Sequence, residues 1–167
     1  ILKNKNKYDS LYFMHGTRFA STRGIFELEY NNNIHILMNL ILCLNMQKMH
    51  GNVLFKIPTG FTKFTIQLIY VLKMYYEKVE IKNLKSTKLA ITVVFIAKKF
   101  KGISKTELNN FNNMLDTIKN ENLFVFKSKK IKSFIELNKQ SDEYNFIKNF
   151  LCKYENKKMN EIKNILK

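Results

Sequence analysis

The sequence predicts an α/β fold, a sheet domain continued by helices, and three observations predict it. Apolar runs with helical spacing alternate with short β-branched or aromatic runs as far as residue 100. Gly, Pro and Asn clusters punctuate that alternation. From Ser104 onward the alternation gives way to Lys- and Asn-rich helical patterns. The order β-α-β-α-β-β followed by helices indicates a sheet with packed helices. The 167 residues suffice for one hydrophobic core, and a 46% hydrophobic content favours a globular chain.

The elements follow in order. Residues 8–15 (YDSLYFMH) are aromatic-rich, end at Gly16 and predict a strand. Residues 16–33 read as a loop that closes on Asn31-Asn32-Asn33, whose side chains suit a helix start. A helix is expected over 34–47, with Ile34, Leu37, Leu40, Ile41 and Leu44 at helical spacing and His50-Gly51 as its stop. The unbroken apolar run that opens residues 53–57 predicts a strand buried on both faces, as in a parallel sheet. Pro58 and Gly60 end it. A helix over 62–76, a brief strand over 78–81 and a basic loop over 82–90 come next. Residues 91–97 (ITVVFIA) are the strongest strand signal in the chain. Ser104 and Glu107 have capping-box spacing and open a helix to about residue 119. Residues 123–126 fit a strand or a helical turn. Two helices are expected over 128–167. Their apolar faces (Phe134, Leu137, Phe146, Phe150, Leu151) are expected to pack on the sheet or on a protein partner. The domain boundary predicted from this shift is 1–103 for the sheet domain and 104–167 for a basic helical extension.

Charge narrows the function classes. Lys and Arg number 29 against 13 Asp and Glu, a net +16, and Arg18 and Arg23 are the sole arginines. Such a balance favours polyanionic partners, with nucleic acid first. Cys43 and Cys152 lie too far apart in sequence for a metal-spaced pair, so no metal site and no disulfide framework is expected. Cys43, inside an apolar run, reads as a core thiol. The default is a reducing, intracellular compartment, the cytoplasm first. The longest apolar stretch, 34–46, is interrupted by His35, Asn39 and Asn45, so no membrane span is expected.

Residues 51–102 (GNVLFKIPTGFTKFTIQLIYVLKMYYEKVEIKNLKSTKLAITVVFIAKKFKG) resemble the FtsJ-like methyltransferases. In that family a Gly precedes a strand ending in Lys, and a Phe-Thr helix follows. A Tyr-Glu-Lys-Val strand and a Lys-Pro, Ser-Arg, Asn-Ser-Glu loop come next, and the last strand ends near Lys-x-Phe-Lys-Gly. The pieces fit here in order without gaps. The resemblance extends more weakly back to the strand at 8–15, covers about the first three-fifths of the chain and leaves out the helical extension. It implies the C-terminal half of a Rossmann-like sheet that uses S-adenosylmethionine (SAM) to methylate RNA ribose 2′-hydroxyls, in several members next to the mRNA cap. The SAM-binding Gly-rich loop would belong to the first half of the fold, upstream of this chain.

The family uses a Lys-Asp-Lys-Glu set, and the resemblance carries its second Lys onto Lys56. That residue is a lone charge at the end of an apolar strand, where open α/β sheets bind ligands. The bland alternative is a strand-end lysine reaching for solvent. The family Glu falls on Val93, its Asn-Ser on Ile91-Thr92, its Ser-Arg on Thr87-Lys88 and its Lys-Pro on Asn83-Leu84. The family Asp would end the strand at 8–15, where Met14, His15 and Gly16 stand. His15 is a weak substitute for proton handling, and Asp9 stands at the wrong end of the strand. Lys82, Lys85, Lys88, Lys98, Lys99 and Lys101 are expected to line one sheet edge and hold RNA phosphates, with Phe95 and Phe100 in the core. Three functions remain open on these residues: a SAM-dependent RNA ribose 2′-O-methyltransferase-like protein, possible at the mRNA cap; a catalytically inactive RNA-binding or scaffolding relative; and a decayed fragment.

Overall fold

The computed structural model describes residues 7–14, 25–57, 62–82, 92–120, 134–136 and 140–165. Four strands and four helices make up these residues, in the order β1 (Tyr8–Met14), α1 (Ile25–Met46), β2 (Gln47–Ile57), α2 (Lys63–Tyr75), β3 (Tyr76–Lys82), β4 (Val93–Phe100), α3 (Lys105–Asn120) and α4 (Asp142–Ile165). The strands form one mixed sheet in the spatial order β1-β2-β4-β3. β1 and β2 are parallel, and β4 runs antiparallel to both β2 and β3. β1, β2 and β3 therefore point the same way, with β4 inserted between the last two. This is an α/β arrangement compatible with a Rossmann-like fold.

The crossovers explain where the helices lie. From β1 to β2, and from β2 past β4 to β3, the chain moves in one direction across the sheet. Right-handed crossovers in one direction put both connecting helices on one face. The core agrees: Leu37, Leu40, Ile41 and Leu44 of α1 and Phe64, Leu68 and Leu72 of α2 cluster with Val53, Phe55 and Ile57 of β2 and Val93, Phe95 and Ala97 of β4. These strand residues alternate in sequence, as one face of a pleated strand must. Each fully buried Phe or Leu here contributes about 2 kcal/mol of transfer free energy. Phe13 of β1 stacks on Phe55 at 5.1 Å and extends the same core. α3 packs on α1, and α4 packs on α2.

Several expectations need correction. α1 starts at Ile25, so residues 25–33 are helix and the Asn run does not open it. Asn32 and Asn33 are buried inside the helix, where tertiary burial outweighs their preference for caps. Gln47 belongs to β2, which starts six residues before the expected Val53. His50 (φ 62°) and a register shift between Tyr8 and Ser10 absorb the extra residues as a bulge. β2 is buried on one face only, since Leu54 and Lys56 are half-buried. β3 extends from Tyr76 to Lys82, and β4 runs Val93–Phe100 rather than over 91–97, because Tyr76 and Phe100 pair at their far ends. The extension packs on the helices rather than on the sheet, α3 on α1 and α4 on α2: Phe134 lies 4.9 Å from Phe64, and Ile147 and Leu151 are buried. One helix, α4, occupies the described part of 128–167, and the proposed 123–126 element and Leu137 lie outside the described residues.

Three local predictions hold. α2 lies within one residue of its expected bounds. Ser104 and Glu107 close the capping box: Glu107 Oε2 accepts from Ser104 N and Oγ at 3.2 and 2.6 Å, and Glu107 N donates to Ser104 Oγ at 3.2 Å. Cys43 is buried against the Tyr76 hydroxyl at 3.1 Å.

Candidate functional site

The C-terminal ends of the three parallel strands lie at Met14, Ile57 and Lys82, beside the N-terminal end of β4 at Val93. In open α/β sheets this edge is where ligands bind. Lys56 stands one residue before the end of β2, on the face turned away from α1 and α2. Its neighbours follow from the register: Met14 on β1, Val94 on β4, and beyond Val94, Lys82 on β3. The next row down is Tyr12, Leu54, Ile96 and Glu80. Tyr12, Leu54, Val94 and Ile96 take no part in the helix-covered core. Among the described residues neither α3 nor α4 contacts a strand, yet Val94 on this face is only 2% exposed.

Lys56 is half-buried and makes no ion pair with a described residue. Nearby, the Thr92 hydroxyl oxygen is buried without a hydrogen-bond partner among the described residues. Buried polar atoms normally find partners, so an orphan at this edge marks a place suited to a polar ligand.

Among the described residues of this edge, no acid stands beside Lys56. Met14 ends β1. Val93 is 1% exposed and belongs to the helix-facing core, pointing away from Lys56. The residue that faces Lys56 across the ladder is Val94, also apolar. The described residues at this edge thus offer no carboxylate to orient the Lys56 ammonium or to hold the ribose or amino group of a SAM molecule, and they do not form a SAM site. His15 lies outside the described residues. Asp9, at the far end of β1, pairs with Lys48 at 3.2 Å.

The expected basic edge divides. Lys82 and Lys98 meet on Glu80, at 3.3 and 3.1 Å. Lys99 pairs with Glu77 at 3.1 Å, and the Lys101 ammonium donates to the Lys73 carbonyl at 3.4 Å. Because β4 is antiparallel, its Lys98–Phe100 end lies beside the start of β3, roughly 13 Å down the strand from Lys82. Lys82 and Lys99 therefore do not share one edge. Lys85 and Lys88 lie outside the described residues, while Phe95 and Phe100 are buried as expected.

Sequence reasoning missed Lys78 and Glu80. Lys78 is the third lysine on Glu80, at 2.9 Å. Hydrogen bonds from Lys78, Lys98 and Lys82 hold the Glu80 carboxyl down at about 2. The signal was available: Lys78, Glu80 and Lys82 alternate at period two, which puts all three on one strand face. Among the described residues, no group of His, Cys, Asp or Glu could hold a metal ion, and no helix is long and apolar enough to cross a membrane.

The chain is thus α/β, compatible with a Rossmann-like fold, with Lys56 at the C-terminal edge of its parallel strands. Among curated proteins, the chain is similar to the cap-specific mRNA (nucleoside-2'-O-)-methyltransferase 1A of Caenorhabditis briggsae, with 27% identity over 119 residues. The match covers 64% of this chain and 14% of that protein, so the chain spans a small part of the relative it matches. No family model matches the chain. The similarity supports at most a distant relationship to the methyltransferases.

Proposed function

We propose that the chain is the C-terminal half of an FtsJ-like RNA ribose 2′-O-methyltransferase domain, followed by a helical extension from residue 104. The observation that carries this reading is the half-buried Lys56, without an ion pair among the described residues, at the C-terminal edge of a parallel strand. An ammonium there can hold a ribose 2′ oxygen through a charge-assisted hydrogen bond, and positioning supplies much of the rate of a group transfer. SAM would be the methyl donor, bound by residues outside those described here. RNA next to the mRNA cap is the substrate that the relative's name suggests.

A second reading has its own observation in favour. Met14, Val93 and Val94 stand where carboxylates would orient Lys56, which favours an RNA-binding protein that keeps the fold without the chemistry. One assay separates the two readings: methyl transfer from labelled SAM to capped RNA, using the longest natural chain that contains this segment. Transfer that Lys56→Ala abolishes supports the enzyme. No transfer, with salt-dependent RNA binding retained, supports the inactive relative.

A further inference from the structure

α4 buries one side against α2 through Ile147 and Leu151 and turns another side to solvent. Asp142, Phe146, Phe150, Lys153 and Lys157 follow one another at intervals of four, four, three and four residues, so they share that outward side. All of them are exposed. Phe146 is 62% and Phe150 44% exposed. Their rings stack at 6.3 Å, and the Lys73 ammonium of α2 stands 5.1 Å over Phe146. Asp142, Lys153 and Lys157 make no ion pair with a described residue. The stripe thus reads acid, aromatic, aromatic, base, base over about 22 Å of helix. Among the described residues α4 contacts α2 and no strand, so it lies outside the helix layers that a Rossmann-like sheet carries on its two faces.

We infer that this stripe pairs with the same stripe of a second copy of the chain, as two antiparallel α4 helices about a two-fold axis. In a two-fold contact each residue meets the residue that it is met by. An acid-aromatic-base order is its own complement when reversed. With the axis at the level of Lys148, midway between Phe146 and Phe150, each Phe146 faces the Phe150 of the other copy. Lys153 then stands about 1.5 Å, one residue, along the helix from the level of Asp142 in the other copy. An ion pair therefore closes each end of a cluster of rings. The rings anchor the contact through their apolar area, and the Lys73 cation–π contact strengthens as water leaves it. The net charge of +16 opposes association. Salt screens charges more than about 8 Å apart, however, while the flanking pairs act at contact. Two rings per copy fall well short of the roughly 800 Å² per partner of a stable interface, so the association is weak and concentration-dependent. Single-stranded RNA is the other occupant that exposed rings and lysines could attract. Asp142, with Glu143 next to it in sequence at the head of the stripe, disfavours a phosphate backbone there.

The test is sedimentation velocity of the longest natural chain that contains this segment, across the micromolar range at physiological salt. A monomer–dimer equilibrium is expected. Phe146→Ser and Phe150→Ser are each expected to raise the dissociation constant about tenfold. Asp142→Lys and Lys153→Glu are each expected to raise it about threefold. The double variant Asp142→Lys with Lys153→Glu is expected to bring it back, because exchanging the two ends of the stripe restores its complementarity. The substituted side chains are exposed, so the variants keep their fold, and thermal melts check this. A chain that stays monomeric, a dimer indifferent to both Phe variants, or a double variant no tighter than the single ones overturns the inference. Binding of a labelled oligouridine to a monomeric chain that needs the two rings overturns it as well, in favour of an RNA surface. None of these residues lies at the sheet edge that holds Lys56, so methyl transfer is scored separately.

Discussion

Replacing Gly51 by Ala tests how closely β1 lies over β2. Gly51 is buried in β2, and its backbone needs no unusual dihedral angle, so the penalty is steric. A Cβ there would stand 2.8 Å from the Asp9 carbonyl oxygen and 2.8 Å from the Lys48 carbonyl oxygen, and would collide with the Gln47 side-chain nitrogen. The two oxygens are backbone and cannot rotate aside. The Gln47 amide donates to the carbonyls of Tyr8 and Asp9 at 2.9 and 3.2 Å, fastening β1 to β2 where their ladder shifts register. The methyl group must therefore displace Gln47 or push β1 away. Losing two hydrogen bonds costs about 1 kcal/mol each, and overpacking a filled site costs roughly 1–3 kcal/mol more. The expected destabilisation is about 4 kcal/mol, which at a urea m-value of roughly 2 kcal/mol/M lowers the midpoint by about 2 M. Urea titration followed by far-ultraviolet circular dichroism measures it, with exposed Lys105→Ala on α3 as the control. A Gly51→Ala midpoint equal to that of the control would refute the close approach of the two strands.

Three further outcomes are expected. Ser104→Ala should lower stability by about 1 kcal/mol through loss of the capping box on α3, and Ser104→Thr should restore most of it in thermal melts; an unchanged melting temperature would show the box to be idle. At pH 8 a thiol reagent should modify exposed Cys152 and spare Cys43, whose thiol burial pushes up to about 12; mass spectrometry showing equal rates at both sites would contradict the packing of α1. The three lysines on Glu80 lower its carboxyl from 4.5 to about 2. The unfolded chain then binds more protons between those values, so this stabilisation is complete above pH 4.5 and is lost as pH falls towards 2. Glu80→Gln should flatten the stability profile in that window and leave its slope above pH 5 alone.

The alternation of elements was legible because each sits in a strong period. α2 and the β4 run carry patterns that no other element type fits, and the capping box fixes the start of α3. What was not legible depends on direction and partners. The Asn31-Asn32-Asn33 run looks like a helix start, and only burial against the rest of the fold keeps it inside α1. His50-Gly51 looks like a helix stop, yet it forms a bulge in a strand that had already begun. Of the lysines assigned to one edge, the described Lys82 and Lys99 separate because β4 runs antiparallel, which the order of elements does not reveal. Lys56 was legible as a strand-end charge, but its surroundings needed the register: Met14, Val94 and Lys82 come from three other strands.

That register also decides how a lost acid should be sought. A gapless match carries the family Glu onto Val93, whose side chain belongs to the core beneath α1 and α2. Val94 instead lies between Lys56 and Lys82 in one row, with neighbouring Cβ atoms about 5 Å apart. The two positions should respond differently to a carboxylate. Val93→Glu buries an unpaired charge and is expected to cost about 4 kcal/mol or more. Val94→Glu meets an ammonium on each side and is expected to cost at least 1–2 kcal/mol less, roughly the worth of one charged hydrogen bond. Urea midpoints of the two variants give the comparison directly. Equal losses would mean that the faces of β4 are assigned wrongly, and with them the row that holds Lys56. A smaller loss at Val94 would mean that Lys56 has room for an acid beside it, and that valine at position 94, as much as at 93, leaves that ammonium without one.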